Sequence, residues 1–291
     1  MGLTDEVRRH AAEVTAGARF VAIDSEALEA LDPGPAPGPD PDAHLLDAAP
    51  EDVARHLLAL DSVNFGSGWF PTLRKRPGLS GYRTVASALA ERFRVEGPWS
   101  GAQLRALDAA AVADTLGQDA GHELMSLYAR ALNDLGAWLG DRDALDAVAA
   151  AGGSAERLAA QLADGMPFFA DRGFYKRAQI VPHDLQLAGV ATFADVDRLT
   201  IFADNLVPHV LRVDGALRYE PGLAAHIDAG ERLEAGSREE VEIRAAAVHA
   251  CERAARRLGV APRELDAALW NRGQAPRYKA IPRHRARSVF Y

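Results

Sequence analysis

The chain has 291 residues, with 33 Lys plus Arg against 41 Asp plus Glu, a net charge of −8 when histidine is neutral. An acidic balance of this size argues against a protein whose task is coating nucleic acid, which draws on clustered basic residues. The single cysteine, Cys251, excludes an intramolecular disulfide and any cysteine-cluster metal site.

The opening segment MGLTDEVRRHAAEV carries charges every few residues where a signal peptide needs an apolar run, and no stretch approaches the roughly 20 apolar residues of a membrane span. A soluble, unprocessed, cytoplasmic protein without a membrane partner is expected. Ala-rich and Leu-rich stretches with apolar residues three and four apart dominate, and alternating runs of Val, Ile and Thr are almost absent. This pattern predicts an all-α protein with helices near 4–17, 25–31, 51–60, 81–94, 101–117, 121–140, 143–151, 154–164, 174–188, 195–204, 208–214, 221–229, 238–258 and 262–271. One helical domain is expected over 1–291, with N-terminal helices and a proline-rich loop in 1–50 and the main body in 51–291. The loop, DPGPAPGPDPD at 32–42, has proline at every second position from 33 to 41 and so excludes helix or central strand. It reads as a surface excursion, with a proline-rich peptide ligand as the alternative.

Four segments and one helix depart from simple amphipathic logic. Leu60 to Pro71 ends a helix in a Gly-rich turn bearing Phe65, Trp69 and Phe70. Aromatic faces there can wall a slot for a heterocycle, or pin the loop to the core. In FYKRAQI at 174–180, Phe174, Ala178, Val181, Leu185 and Ala188 form a buried stripe. Lys176 and Arg177 fall near the helix start, where cations oppose the macrodipole and call for an anion. Pro182 predicts a kink or an early stop. In the predicted helix 195–204, Asp197 and Asp204 share a face about 10.5 Å apart along the axis, too far for a proton-sharing dyad. Asp204 also suits the N-cap of the helix that follows. Ser237 and Glu240 spell a capping box at the head of helix 238–258, whose apolar face holds Val241, Ala245, Val248, Cys251, Ala255 and Leu258. Arg244 projects within that face, so it requires carboxylates or an anionic ligand. Either it pairs with Glu240 one turn earlier or it helps to shape an active site. The last segment, 281–291, places Arg283, His284, Arg285 and Arg287 ahead of Val289, Phe290 and Tyr291. Docked through its apolar end, it brings a local cationic patch suited to one phosphate group.

No HExxH, EF-hand loop, P-loop, Gly-rich strand-to-helix turn or GxSxG is present. Metal enzymes, kinase-like and Rossmann proteins and α/β-hydrolases therefore fall away, and no metal or cofactor is expected.

From about Ala54 to Tyr291 the sequence resembles the queuosine salvage family, the queuosine 5′-phosphate N-glycosylase/hydrolases. The resemblance rests on FYKRAQI at 174–180, LTIFADNLVP at 199–208, EVEIRAAAVHACE at 240–252 and HRARSVFY at 284–291. It implies an all-helical body similar to helix-hairpin-helix DNA glycosylases. It also implies hydrolysis of the bond between ribose and the 7-deazaguanine base of queuosine 5′-monophosphate, releasing queuine. Asp204, in the family's FAD motif, is the expected carboxylate at the oxocarbenium-like state, and Lys176 the expected polar assistant. Phe65 and Trp69 are stacking candidates and Asn64 a base-edge partner. His284, Arg285 and Arg287 are phosphate candidates, and Arg177, Asp197, His209 and Arg244 further substrate-binding candidates. The family's NFxFW becomes Asn64-Phe65-Gly66-Ser67-Gly68-Trp69-Phe70 here, and its FADYRVPQ becomes FADNLVPH. The expected partner is a small nucleotide and no stable nucleic acid. The rival reading is a noncatalytic binder of modified nucleosides or tRNA.

Overall fold

In a computed structural model, which describes residues 2–291, fifteen α-helices carry most of the chain, and strand structure among these residues is one antiparallel pair, Val21–Ile23 with Leu217–Tyr219. The all-α reading holds. Predicted helices recur with small end shifts, as Leu3–Ala16, Gly81–Glu96, Glu123–Leu139 and Arg238–Leu258. The expected helix 101–117 is two, Gly101–Ala106 and Ala109–Leu116, because Asp108 stops the first and caps the second by accepting Ala111 N–H at 2.8 Å. Pro182 neither ends nor splits its helix, which runs over Lys176–Leu187.

The expected helix 195–204 does not form. Only Val196–Arg198 turns, as a 3₁₀ segment, and residues 199–206 are irregular. Side-chain carboxylates take the N–H groups that a helix would aim at carbonyls four residues back. Phe202 N–H donates to Asp266 at 2.8 Å, and Leu206 and Val207 N–H donate to Asp204. Asp197 and Asp204 therefore share no helix face. Asp197 is instead a surface residue paired with Arg263 at 2.7 Å, its side chain 72% exposed.

Contacts group the chain into two units, each drawn from three segments, with one boundary inside the proline-rich loop between Pro37 and Gly38. The first unit holds residues 2–37, 172–176 and 197–288. Its axis is Arg238–Leu258, packed by Leu3–Ala16, Val207–Val213 and Pro262–Arg272. From Glu242 to Cys251 every residue of this helix except His249 is buried, so it is a central rod and not the one-sided helix the spacing predicts. Its buried Glu242 accepts Arg19 and Phe20 N–H at 2.9 and 2.6 Å, fixing the entry to the first strand.

The second unit holds residues 38–171, 177–196 and 289–291. Glu123–Leu139 lies at its centre, against Pro50–Ser62, Gly101–Ala106 and Ala109–Leu116. Among the described residues no helix is long and apolar enough to cross a membrane.

Candidate active site

Asp204 sits in the irregular stretch of the first unit, immediately before the helix Val207–Val213. Its Oδ1 accepts the N–H of Leu206 at 2.7 Å and of Val207 at 3.1 Å, satisfying donors that a helix start leaves over. The expected N-cap role goes to Leu206 instead, but Asp204 still holds the N–H groups at the head of this helix, and because both bonds fall on one oxygen this is compatible with a site role. Oδ2 accepts no hydrogen bond among the described residues, so a half-buried carboxylate oxygen is held in a fixed direction.

Two groups fix the backbone on the other side of Asp204. Arg244, 3% exposed, donates from Nε to the Ala203 carbonyl at 2.9 Å and lies with Nη1 3.4 Å from Glu240. Asp266, 5% exposed, holds Phe202 N–H. The expected Glu240–Arg244 pair forms, but the closer partner is the carbonyl next to Asp204. Glu240 also accepts Gly236 N–H at 3.1 Å, one residue before the Ser237 N–H that a capping box would use. Glu252 turns to Arg8 at 3.0 Å and leaves Arg244 alone.

The Arg244 guanidinium covers the Phe174 ring at 4.0 Å, a desolvated cation–π contact on the order of 2 kcal/mol. It thus touches a residue two before Lys176 and another one before Asp204, and the FYK and FAD motifs converge on it. The approach to Lys176 is tightly determined. Gly173 has φ +86°, and His10 fills the place of a Cβ at 2.6 Å, so no other residue fits without a shift. Tyr175 adopts φ +50°, a left-handed conformation costing an aromatic residue about 1–3 kcal/mol, and its hydroxyl donates to Glu6 at 2.9 Å. Lys176 then begins its helix, 5% exposed. His209 is buried on the helix after Asp204. Its Nε2 donates to the Tyr278 carbonyl at 2.8 Å, and burial lowers its pKa, so it is a neutral ring engaged in structure.

The basic segment runs through this unit as extended chain. His284, Ala286 and Ser288 are buried, Arg283 and Arg285 half-buried and Arg287 exposed, the two-residue alternation of an extended strand. Asn205 donates from Nδ2 to the His284 carbonyl at 3.1 Å, and Leu233 N–H donates to the Arg285 carbonyl at 2.9 Å. Burial, helped by Arg244 and other cations, lowers the pKa of His284 to about 3, so at neutral pH it offers no charge to a phosphate. Arg287 lines an open cleft of about 640 Å³ with His226, Arg232 and Glu234.

Asn64, Phe65, Trp69 and Arg177 belong to the second unit. Arg177, 1% exposed, donates to the carbonyls of Ser62 and Val289 at 2.6 Å each and to that of Phe168, with its guanidinium 4.6 Å from the Phe65 ring and 4.8 Å from Phe169. The anion that this cation calls for is replaced by carbonyl oxygens and aromatic faces. Phe65 is 2% exposed, meeting Tyr128 and Phe168 edge to face, and has no open face on which a heterocycle could stack. Trp69, also buried, donates its indole N–H to Glu123 at 2.8 Å. These contacts pin the Gly-rich turn to the core of the unit, the structural alternative that the sequence leaves open. Asn64 is half-buried, two residues beyond the helix Pro50–Ser62.

Residues 44–291 match the family described as queuosine salvage protein. The chain belongs to this family. A queuosine 5′-phosphate N-glycosylase/hydrolase of Sphaerobacter thermophilus is 36% identical over 265 residues, covering 83% of this chain and 82% of the relative. Proteins of the same description from Dictyostelium discoideum and Mus musculus are 38% and 32% identical, over 40% and 58% of each chain respectively. The match to the queuosine salvage family takes in both units, since it begins in the second and includes all of the Asp204, Arg244 and basic-tail segments.

One residue at this site goes beyond the positions singled out from the sequence, and a second was read there only as part of a basic patch. Asp266 was detectable: it stands beside Leu265 and three before Leu269, an acidic residue among the buried positions of the helix Pro262–Arg272. Arg283 lies in the same basic run as Arg285 and Arg287, and what separates it from them is visible only in three dimensions.

Proposed function

We propose that the protein hydrolyses the N-glycosidic bond of queuosine 5′-phosphate, releasing queuine and ribose 5-phosphate, with Asp204 as the carboxylate at the reacting centre. The observation that carries this reading is the division of labour on Asp204: Oδ1 is bound by two backbone N–H groups and Oδ2 accepts no hydrogen bond among the described residues. Departure of the base leaves positive charge on the anomeric carbon and ring oxygen. A fixed carboxylate stabilises that charge, or removes a proton from the water that adds to the carbon. The electron pair of the broken bond goes to the base nitrogen, which ends protonated. A 7-deaza base has carbon where a purine offers a basic nitrogen, so leaving-group assistance must come from donors elsewhere on the ring. Lys176, delivered by the strained Gly173–Tyr175 turn, is the assigned donor. Arg244 and Asp266 hold the Phe202–Ala203 backbone and so position Asp204. The protein acts in the cytoplasm on a small nucleotide, with no nucleic acid partner.

Incubation of purified protein with queuosine 5′-phosphate, followed by chromatography of the free base, tests the substrate. Stoichiometric queuine and ribose 5-phosphate are expected. Absence of release by folded protein contradicts the activity, and tight binding of the nucleotide without turnover would mark a noncatalytic binder.

A further inference from the structure

The helix Leu3–Ala16 precedes residues 44–291, the stretch that matches the family, yet it touches the turn that leads into Lys176. It packs on the central helix Arg238–Leu258, with Val7 and Ala11 fully buried and Arg8 Nε 3.0 Å from Glu252. Glu6 and His10 stand one turn apart and so project together on one flank of that buried stripe. Both reach the same turn. Glu6 accepts the Tyr175 hydroxyl at 2.9 Å, and the His10 ring meets Phe174 edge to face at 5.2 Å while filling the place of a Gly173 Cβ. From the opposite flank Arg8 donates through Nη2 to the Arg198 carbonyl at 2.7 Å, next to the irregular stretch that carries Asp204.

Among the described residues other than glycine, Tyr175 alone has positive φ. A left-handed aromatic residue persists only where its surroundings over-determine it. Here the surroundings are the N-terminal helix: the Tyr175 side chain is 6% exposed and its hydroxyl ends on the Glu6 carboxylate, while His10 closes the space beside Gly173. We propose that Glu6, with His10 as a second post, is a positioning residue that acts through Tyr175 to aim the Lys176 amine. Released from Glu6, Tyr175 relaxes toward negative φ, and the chain direction at Lys176 turns with it. The proposal rests on the assignment of Lys176 as the leaving-group donor.

The test measures base release from queuosine 5′-phosphate by wild type, Glu6→Ala, Glu6→Gln and Tyr175→Phe, and by Lys176→Met with and without Glu6→Ala. Help to a leaving group is felt in the transition state and not in the bound substrate, so kcat falls while KM stays within about twofold. In Glu6→Ala and in Tyr175→Phe the fall in kcat is at least about tenfold, a share of the roughly 10²–10⁴-fold that a positioned acid supplies. Glu6→Gln keeps an oxygen acceptor for the hydroxyl and recovers most of the rate. In Lys176→Met no amine is left to aim, and adding Glu6→Ala changes kcat by less than about twofold. A contact that only stabilises the fold gives a different pattern: the melting temperature drops, kcat below the transition is unchanged, and any loss of rate recurs in Lys176→Met. That pattern overturns the proposal, as does a wild-type kcat in Tyr175→Phe. Hydrogen exchange at the amides of 173–176 gives a readout apart from activity. It speeds up at least about tenfold in Glu6→Ala, and unchanged exchange overturns the proposal whatever the rates. Should wild type release no base, the N-glycosylase reading fails on its own account, and exchange alone decides whether Glu6 holds the turn.

Discussion

Burying a guanidinium costs several kcal/mol unless its donors are matched, and Arg177 and Arg283 differ in this: the half-buried Arg283 makes no hydrogen bond or ion pair among the described residues. Arg177 donates from both terminal nitrogens to the backbone carbonyls of Ser62, Phe168 and Val289, leaving only Nε without a partner, and lies against two phenylalanine rings. It works as a cross-link. Replacing it with Met leaves buried carbonyls without donors, and unfolding free energy measured by urea titration is expected to drop by at least about 2 kcal/mol. A loss below about 0.5 kcal/mol, the range of an ordinary surface change, would remove Arg177 from that role. Sequence alone marked Arg177 as a cation in need of an anion and placed Arg283 in a basic patch. It did not reveal that the partner of one lies within the fold, because carbonyl acceptors belong to the backbone and leave no mark in residue identity. The sequence offered Asp204 as a helix cap or as a site residue; the structure makes Leu206 the cap and has Asp204 bind two N–H groups ahead of the helix with one oxygen, leaving the other without a hydrogen bond among the described residues.

At the scale of elements, local signals predicted helices well where they were complete. Ser237 caps Arg238–Leu258 and Gly259 ends it with φ +68°, as the spacing of serine, glycine and proline requires. The prediction failed for 195–204, where apolar periodicity continues but the N–H groups are diverted to Asp204 and to Asp266, a residue more than sixty positions away. Periodicity counts side chains and has no term for a distant carboxylate that captures a backbone donor. The strand pair Val21–Ile23 and Leu217–Tyr219, three residues each, is shorter than any alternation that can be recognised, and its partners lie nearly 200 positions apart in the sequence. The left-handed Tyr175 was equally hidden, since nothing in an aromatic residue announces positive φ. It surfaces only as strain, placed directly before Lys176.

For the molecule as a whole, buried neutral histidines set the response to acid. Burial lowers the pKa of His56 in the second unit to about 4 and that of His284 in the first to about 3, against an ordinary value of 6.5. Between these values the unfolded chain binds more protons than the native protein. Stability is therefore full above about pH 6.5 and declines as pH falls toward about 4, by up to roughly 1.4 kcal/mol per pH unit for each such histidine. Urea midpoints measured from pH 7 to 5 should fall, and the double variant His56→Gln, His284→Gln should show a shallower decline than wild type. Equal slopes would mean that neither ring is neutral in the native state. The central claim, that the carboxylate of Asp204 carries the hydrolysis, is tested most directly by kcat for Asp204→Asn on queuosine 5′-phosphate. Asparagine keeps the oxygen that accepts the Leu206 and Val207 N–H groups and removes only the charge and basicity. A fall of at least about 100-fold, with the thermal transition retained, is the predicted result, and a rate near that of wild type would contradict it.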